Sequence, residues 1–138
     1  MDTPSRTRVE ALSHDECVQL LAYKSFVGRV AFVIEGQPLV LPVNYLADEH
    51  AIVFCTAPGT KLGALKDGAR VAFEVDDSRA LYHAGWSVLV TGTASEVTDE
   101  AELDALRRGP LRSWATPQSE HWVRIIIEDI SGRRIPGR

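Results

Sequence analysis

Six stretches of this chain carry apolar residues at strand-like spacing, with short turn signals between them: Arg29–Ile34, Pro38–Leu46, Ala51–Thr56, Arg70–Asp76, Trp86–Val97 and His121–Ile130. This series constrains the fold more than any other feature, because strand alternation sends successive side chains to opposite faces of a sheet. Val71, Phe73 and Val75 share one face of the fourth stretch, and Val88, Val90 and Gly92 share one face of the fifth. Glu35-Gly36-Gln37 and Ala47–His50 supply turns of hairpin length. Short connections of this kind predict antiparallel pairing in a barrel or a sandwich. Pro42 sits inside the second stretch, and proline cannot donate to a ladder. One side of that strand is therefore expected to lack a neighbour, leaving backbone that could face a ligand.

Helices are short and marked by their caps. Ser13-His14-Asp15-Glu16 has the capping-box pattern, with Cys17, Leu20 and Leu21 on one side of the turns that follow. Asp99-x-x-Glu102 opens a second helix to about Arg108, where Gly109-Pro110 ends it. A third helix is expected over Lys61–Asp67, closed by Gly68. Residues 1–12 look like a loose arm, and 13–138 form one domain, a length that buries a substantial core. Arg133, Arg134 and Arg138 read as a basic tail.

The net charge of −4 argues against a reader of nucleic-acid backbones, which neutralises many phosphates with Lys and Arg. Cys17 and Cys55 lack zinc spacing and read as small buried hydrophobes, so no metal is expected. No apolar run reaches membrane-spanning length, and residues 1–12 carry no apolar signal core. The expected location is the cytoplasm, without a membrane partner.

The stretch Phe54-Cys55-Thr56-Ala57-Pro58-Gly59-Thr60-Lys61-Leu62 carries the most chemistry. A strand ends at Thr56, Gly59 allows close backbone approach, Thr60 caps the expected helix, and Lys61 adds a charge. Unpaired N–H groups and the positive dipole at a helix start attract anions, so the segment is a candidate monophosphate cradle. It is not a Walker A loop, because GxxxxGK followed by Ser or Thr is absent. An ordinary β-to-α turn with a solvated Lys61 is the competing reading.

From Leu12 to Arg134 the chain resembles the pyridoxamine 5′-phosphate oxidase-like, FMN-binding split-barrel superfamily, in its small flavin-nucleotide-binding branch. The carriers are Gly28-Arg29-Val30-Ala31, Pro38 to Tyr45, Gly59-Thr60-Lys61-Leu62, Val71 to Asp76, Gly85-Trp86-Ser87-Val88 with Gly92, and Ile130 to Arg134. The resemblance implies a six-stranded antiparallel Greek-key split β-barrel and a homodimer with flavin in two interface clefts. It implies that Thr56 and Lys61 bind the flavin phosphate and that the strand Val40–Asn44 lies along the isoalloxazine ring. Trp86 and Ser87 fall where related oxidases carry two polar side chains near the ring. The cofactor-binding residues so implied are Pro42, Val43, Asn44, Thr56, Thr60, Lys61, Leu62, Trp86 and Ser87. The indole of Trp86 departs from that pattern, as does Cys55, which stands where relatives often have His.

His14, His50, His83 and His121 have no carboxylate or Cys partner at motif spacing, and surface or structural roles are expected. Ser87 lacks a G-x-S-x-G context. Glu74 and Asp76 share a strand face, which predicts a solvated face or a salt bridge rather than a metal site. No side chain stands out as a general acid or base. The expected function is an FMN-dependent oxidoreductase that is not a true pyridoxamine phosphate oxidase. The alternatives are a non-catalytic flavin carrier or sensor, and a variant binding deazaflavin F420 or haem. Only Lys61, with Arg29 or Lys66, could surround a longer phosphate tail, which favours FMN over F420.

Overall fold

The computed structural model describes residues 8–23, 27–56, 61–79, 84–111 and 120–136, apart from the side chains of Lys61, Gly63 and Arg79. The chain runs β1 (Glu10–Ala11), α1 (His14–Leu21), β2 (Gly28–Ile34), β3 (Gln37–Val43), β4 (Tyr45–Ala47) and β5 (Ala51–Thr56). A 3-10 turn (Lys61–Ala64), β6 (Ala69–Arg79), β7 (Ala84–Glu96), α2 (Glu100–Arg108) and β8 (His121–Pro136) follow. All pairings are antiparallel, in the order β3-β2-β6-β7-β8-β5-β4, with β1 added to β8.

That order forces a barrel. β3 and β4 stand at opposite ends of the sheet, yet only Asn44 separates them. Laid flat, seven strands would hold these ends about 29 Å apart. Val43 and Tyr45 are two residues apart, which spans at most about 7 Å. The sheet therefore curls until its edges meet at Asn44. The expected second strand is one continuous segment that leaves β2 at Val43 and joins β5 at Tyr45. Tyr45 then meets Phe73 of β6 across the interior, edge to face, with ring centroids 4.7 Å apart.

Side chains inside the barrel follow the predicted alternation. Val30, Phe73 and Val90 line up across β2, β6 and β7, and each is fully buried. α1 closes one end. Ser13 Oγ accepts from Glu16 N and Glu16 Oε1 accepts from Ser13 N, completing the predicted capping box. Cys17 and Leu21 are buried, and the Leu21 carbonyl accepts the Tyr45 hydroxyl at 2.7 Å. Burial pushes the Cys17 thiol pKa up, so it packs as an inert hydrophobe. α2 buries no residue of its own and is held by the ion pairs Glu102–Arg124 and Arg107–Glu120.

Three expectations change. The helix over Lys61–Asp67 shrinks to one 3-10 turn, in a segment with glycines at 63 and 68, the latter at φ +84°. The basic tail is strand: β8 continues through Pro136, with Arg133 opposite Ser87 and Arg134 opposite Trp86. Pairing by two residues, Glu10 and Ala11, adds a strand, and the break at Asn44 another, giving eight rather than six. The mainly β antiparallel class is as expected. Among the described residues no helix is long and apolar enough to cross a membrane.

At Gly92 the ladder between β7 and β8 shifts register, and an added Cβ would lie 2.0 Å from the Ile126 carbonyl oxygen. Gly92→Ala should therefore destabilise the fold by about 2 kcal/mol or more in urea unfolding. An unchanged midpoint would mean that the strands do not approach this closely.

Candidate functional site

Three groups of candidate residues lie on different parts of this barrel. The first is the end of β5. Thr56 is 4 % exposed, and its hydroxyl finds no hydrogen-bond partner among the described residues. A buried hydroxyl left unpaired costs about 1–3 kcal/mol, which makes this atom a candidate ligand contact. Leu62 anchors the 3-10 turn by burial in the core. Thr60 lies outside the described residues, as do Pro58 and Gly59, and Lys61 is placed by its backbone alone. A single 3-10 turn has little dipole to offer, so the anion-binding capacity expected from a helix start is largely lost.

Opposite Thr56 on β8 stands His121. Its Nδ1 lies 3.3 Å from Glu96 Oε2, a carboxylate partner that sequence spacing did not show because the two lie 25 positions apart. Cys55, expected buried, is half-buried, and its register partner Trp122 is buried with its indole N–H unpaired among the described residues.

The second group is Pro42, Val43 and Asn44. β3 pairs with β2 alone among the described residues, so the side of the strand bearing Pro42 is open, as its proline predicted. Pro42 sits opposite Arg29. Val43 is turned into the core, while Pro42 and Asn44 are exposed.

The third group is Trp86 and Ser87 on β7. Successive strand residues face opposite ways, so these two cannot meet a ring from the same face. Ser87 shares its face with Asp76 and Arg133, its partners on β6 and β8, whereas Trp86 is opposite Asp77 and Arg134 and packs against the core. Both border an open cleft of about 410 Å³ at the ends of β6, β7 and β8, with Val9, Asp76, Arg133 and Ile135 on its walls. That volume falls in the ordinary range for small-molecule sites. Arg134 is tied to Glu16 at 2.8 Å, whereas Arg133 has no ion pair among the described residues.

Arg29 joins the second group to the third. Its guanidinium reaches Glu74 at 3.2 Å and Asp76 at 3.4 Å, the salt bridge expected of that strand face. Pro42, Arg29, Asp76, Ser87 and Arg133 thus follow one outward band across β3, β2, β6, β7 and β8. Val33, Val40 and Leu89 lie on the same side of these strands and are 58 %, 61 % and 47 % exposed. Burial, followed by the bond and charge of Asp76, pushes the Glu74 pKa up to about 7, against the opposing pull of Arg29.

The antiparallel barrel with its two short helices is of the split-barrel class. The family model for pyridoxamine 5′-phosphate oxidase matches residues 13–134. The FAD-binding protein from Mycobacterium smegmatis is 35% identical and superposes with a TM-score of 0.77, covering 94% of this chain and 100% of that one. A FAD-binding protein from Mesorhizobium loti is 28% identical with a TM-score of 0.71, covering 91% of this chain and 97% of that one. The uncharacterised protein Rv0080 of Mycobacterium tuberculosis is 33% identical over 136 residues, 95% of this chain and 88% of that protein. This chain belongs to the pyridoxamine 5′-phosphate oxidase-like family of flavin-binding split barrels.

Because the folded-state pKa of Glu74 is raised, its protonated form supports the fold, and that support is lost as pH rises from the unfolded value towards about 7. Melting temperature should fall between about pH 5 and about pH 8, and Glu74→Gln should flatten the fall. Equal slopes in both proteins would remove Glu74 as the cause.

Proposed function

We propose that this protein binds FMN and acts as a flavin-dependent oxidoreductase, working as a homodimer that covers the outward band. The unpaired, buried hydroxyl of Thr56 carries the phosphate part of this reading. Thr56, Thr60 and Lys61 hold the phosphate, and Leu62 fixes the turn beneath them. Pro42, Val43 and Asn44 offer open backbone to the ring, and Trp86 and Ser87 border the cleft where the remainder of the ligand or a substrate enters. A bound flavin supplies one- or two-electron transfer, while the protein's share is to hold and orient it and to keep water away.

The apolar side chains on the band support the dimer. Val33, Val40 and Leu89 flank Arg29, Glu74 and Asp76 on a face whose terminal strand β3 has a free edge. Exposed apolar clusters rimmed by charge mark association surfaces. FAD is a second reading, favoured by the two related proteins described as FAD-binding. The larger nucleotide would carry its adenylate beyond the cradle. Mass spectrometry of flavin released from the purified protein separates the two.

The purified protein should be yellow or gain a bound-flavin spectrum on adding FMN. Lys61→Ala should weaken FMN about tenfold or more and riboflavin little, the loss of a charge-assisted phosphate contact. Equal losses for both flavins would show that Lys61 does not contact the phosphate. Val40→Glu should shift the protein to the monomer on sizing chromatography at micromolar concentration. A dimer that survives this change would place the interface elsewhere.

A further inference from the structure

We propose that His121 grips the flavin phosphate beside Thr56, and that it does so only as the imidazolium. This rests on the phosphate reading of the Thr56–Lys61 segment.

Cross-strand register brings the two residues together. Thr56 on β5 and His121 on β8 are direct partners, so their side chains share one face at the end of the barrel. One member of the pair is a buried hydroxyl without a partner among the described residues. The other is an imidazole that is 43% exposed and remains accessible to a ligand. Glu96 on β7 lies 3.3 Å from Nδ1 of that ring.

The carboxylate decides what His121 can offer. Glu96 can only accept, so the contact places a proton on Nδ1. In the neutral ring Nε2 is then a bare lone pair, which repels a phosphate oxygen. Adding a proton makes Nε2 a donor and gives the ring a positive charge, and both favour a phosphate. His121 is thus a poor phosphate ligand when neutral and a good one when charged.

The pocket bordered by His121, Glu96, Lys66, Asp67 and Leu62 measures about 20 Å³. That is room for one water-sized group, so both the isoalloxazine and the body of the phosphate have to lie outside it. The charged groups there are Glu96 on β7 and Lys66 and Asp67 after the 3-10 turn. Asp67 is already committed, accepting from the Glu96 backbone N–H at 2.9 Å. Lys66 adds positive charge beside His121.

The test compares FMN with riboflavin, which lacks the phosphate, by quenching of flavin fluorescence between about pH 5 and about pH 8, where histidine changes charge. The protein and its His121→Gln, Glu96→Gln, Thr56→Val and Lys61→Ala forms are titrated, with circular dichroism as the control for folding. At the acidic end His121→Gln should lower the preference for FMN over riboflavin about tenfold, a typical charge-assisted hydrogen bond. The gap from wild type should close as pH rises, and Glu96→Gln, which no longer fixes the proton on Nδ1, should weaken that pH dependence. Titration of the phosphate itself is common to both proteins and cancels in the comparison. The proposal is overturned if His121→Gln keeps the wild-type preference, or loses it equally at every pH. If Thr56→Val and Lys61→Ala lower the preference while His121→Gln does not, His121 alone is excluded. If none of the variants changes it, or FMN does not bind, the phosphate reading falls and the role of His121 falls with it.

Discussion

The passage of one strand from edge to edge of the sheet governs this molecule. Because Asn44 alone joins β3 to β4, the sheet has to close, and closure decides which side of every strand is interior. With the interior set, the apolar alternation of β2, β6 and β7 buries Val30, Phe73 and Val90 and turns Arg29, Glu74 and Ser87 outward. Closure has a cost at the joint. Val43 is the last residue of β3 to pair with β2, and Tyr45 the first of β4 to pair with β5, so pairing is interrupted at Asn44. The open backbone of β3 is a consequence of making the barrel.

Two kinds of surface follow. Inside, dispersion and the hydrophobic effect suffice, and Gly92 omits a side chain where one would meet the Ile126 carbonyl across β7 and β8. Outside, one band mixes Arg29, Glu74 and Asp76 with exposed Val33, Val40 and Leu89. A solvated face needs no such apolar cluster, and a hydrophobic core tolerates no such charges without pairing. The combination has the composition of an association surface with a polar component. α2 stands apart from both. It buries none of its residues and relies on Arg124 and Arg107 reaching Glu102 and Glu120.

At the end of the barrel, Thr56 and His121 differ in what they bring to an anion. The hydroxyl is buried and neutral, so it offers a hydrogen bond at any pH. The imidazole is exposed and held by Glu96, so it offers a charge only when protonated. A cradle built from both would couple phosphate affinity to proton uptake without moving the backbone.

Local patterns determined the six main strands, the capped helices α1 and α2, the open side at Pro42 and the pairing of Glu74 and Asp76 with a cation. These depend on alternation, caps and proline chemistry, which act over a few residues. The candidate phosphate segment was legible for the same reason, as a hydroxyl, a glycine and a lysine close together. Tertiary structure alone decided that the second strand changes partners at Asn44, and that Arg133 and Arg134 belong to β8 opposite Ser87 and Trp86. It also decided the partnership of His121 with Thr56 and Glu96. Register and closure join residues dozens of positions apart, and no local pattern of side chains encodes which distant strand will lie alongside.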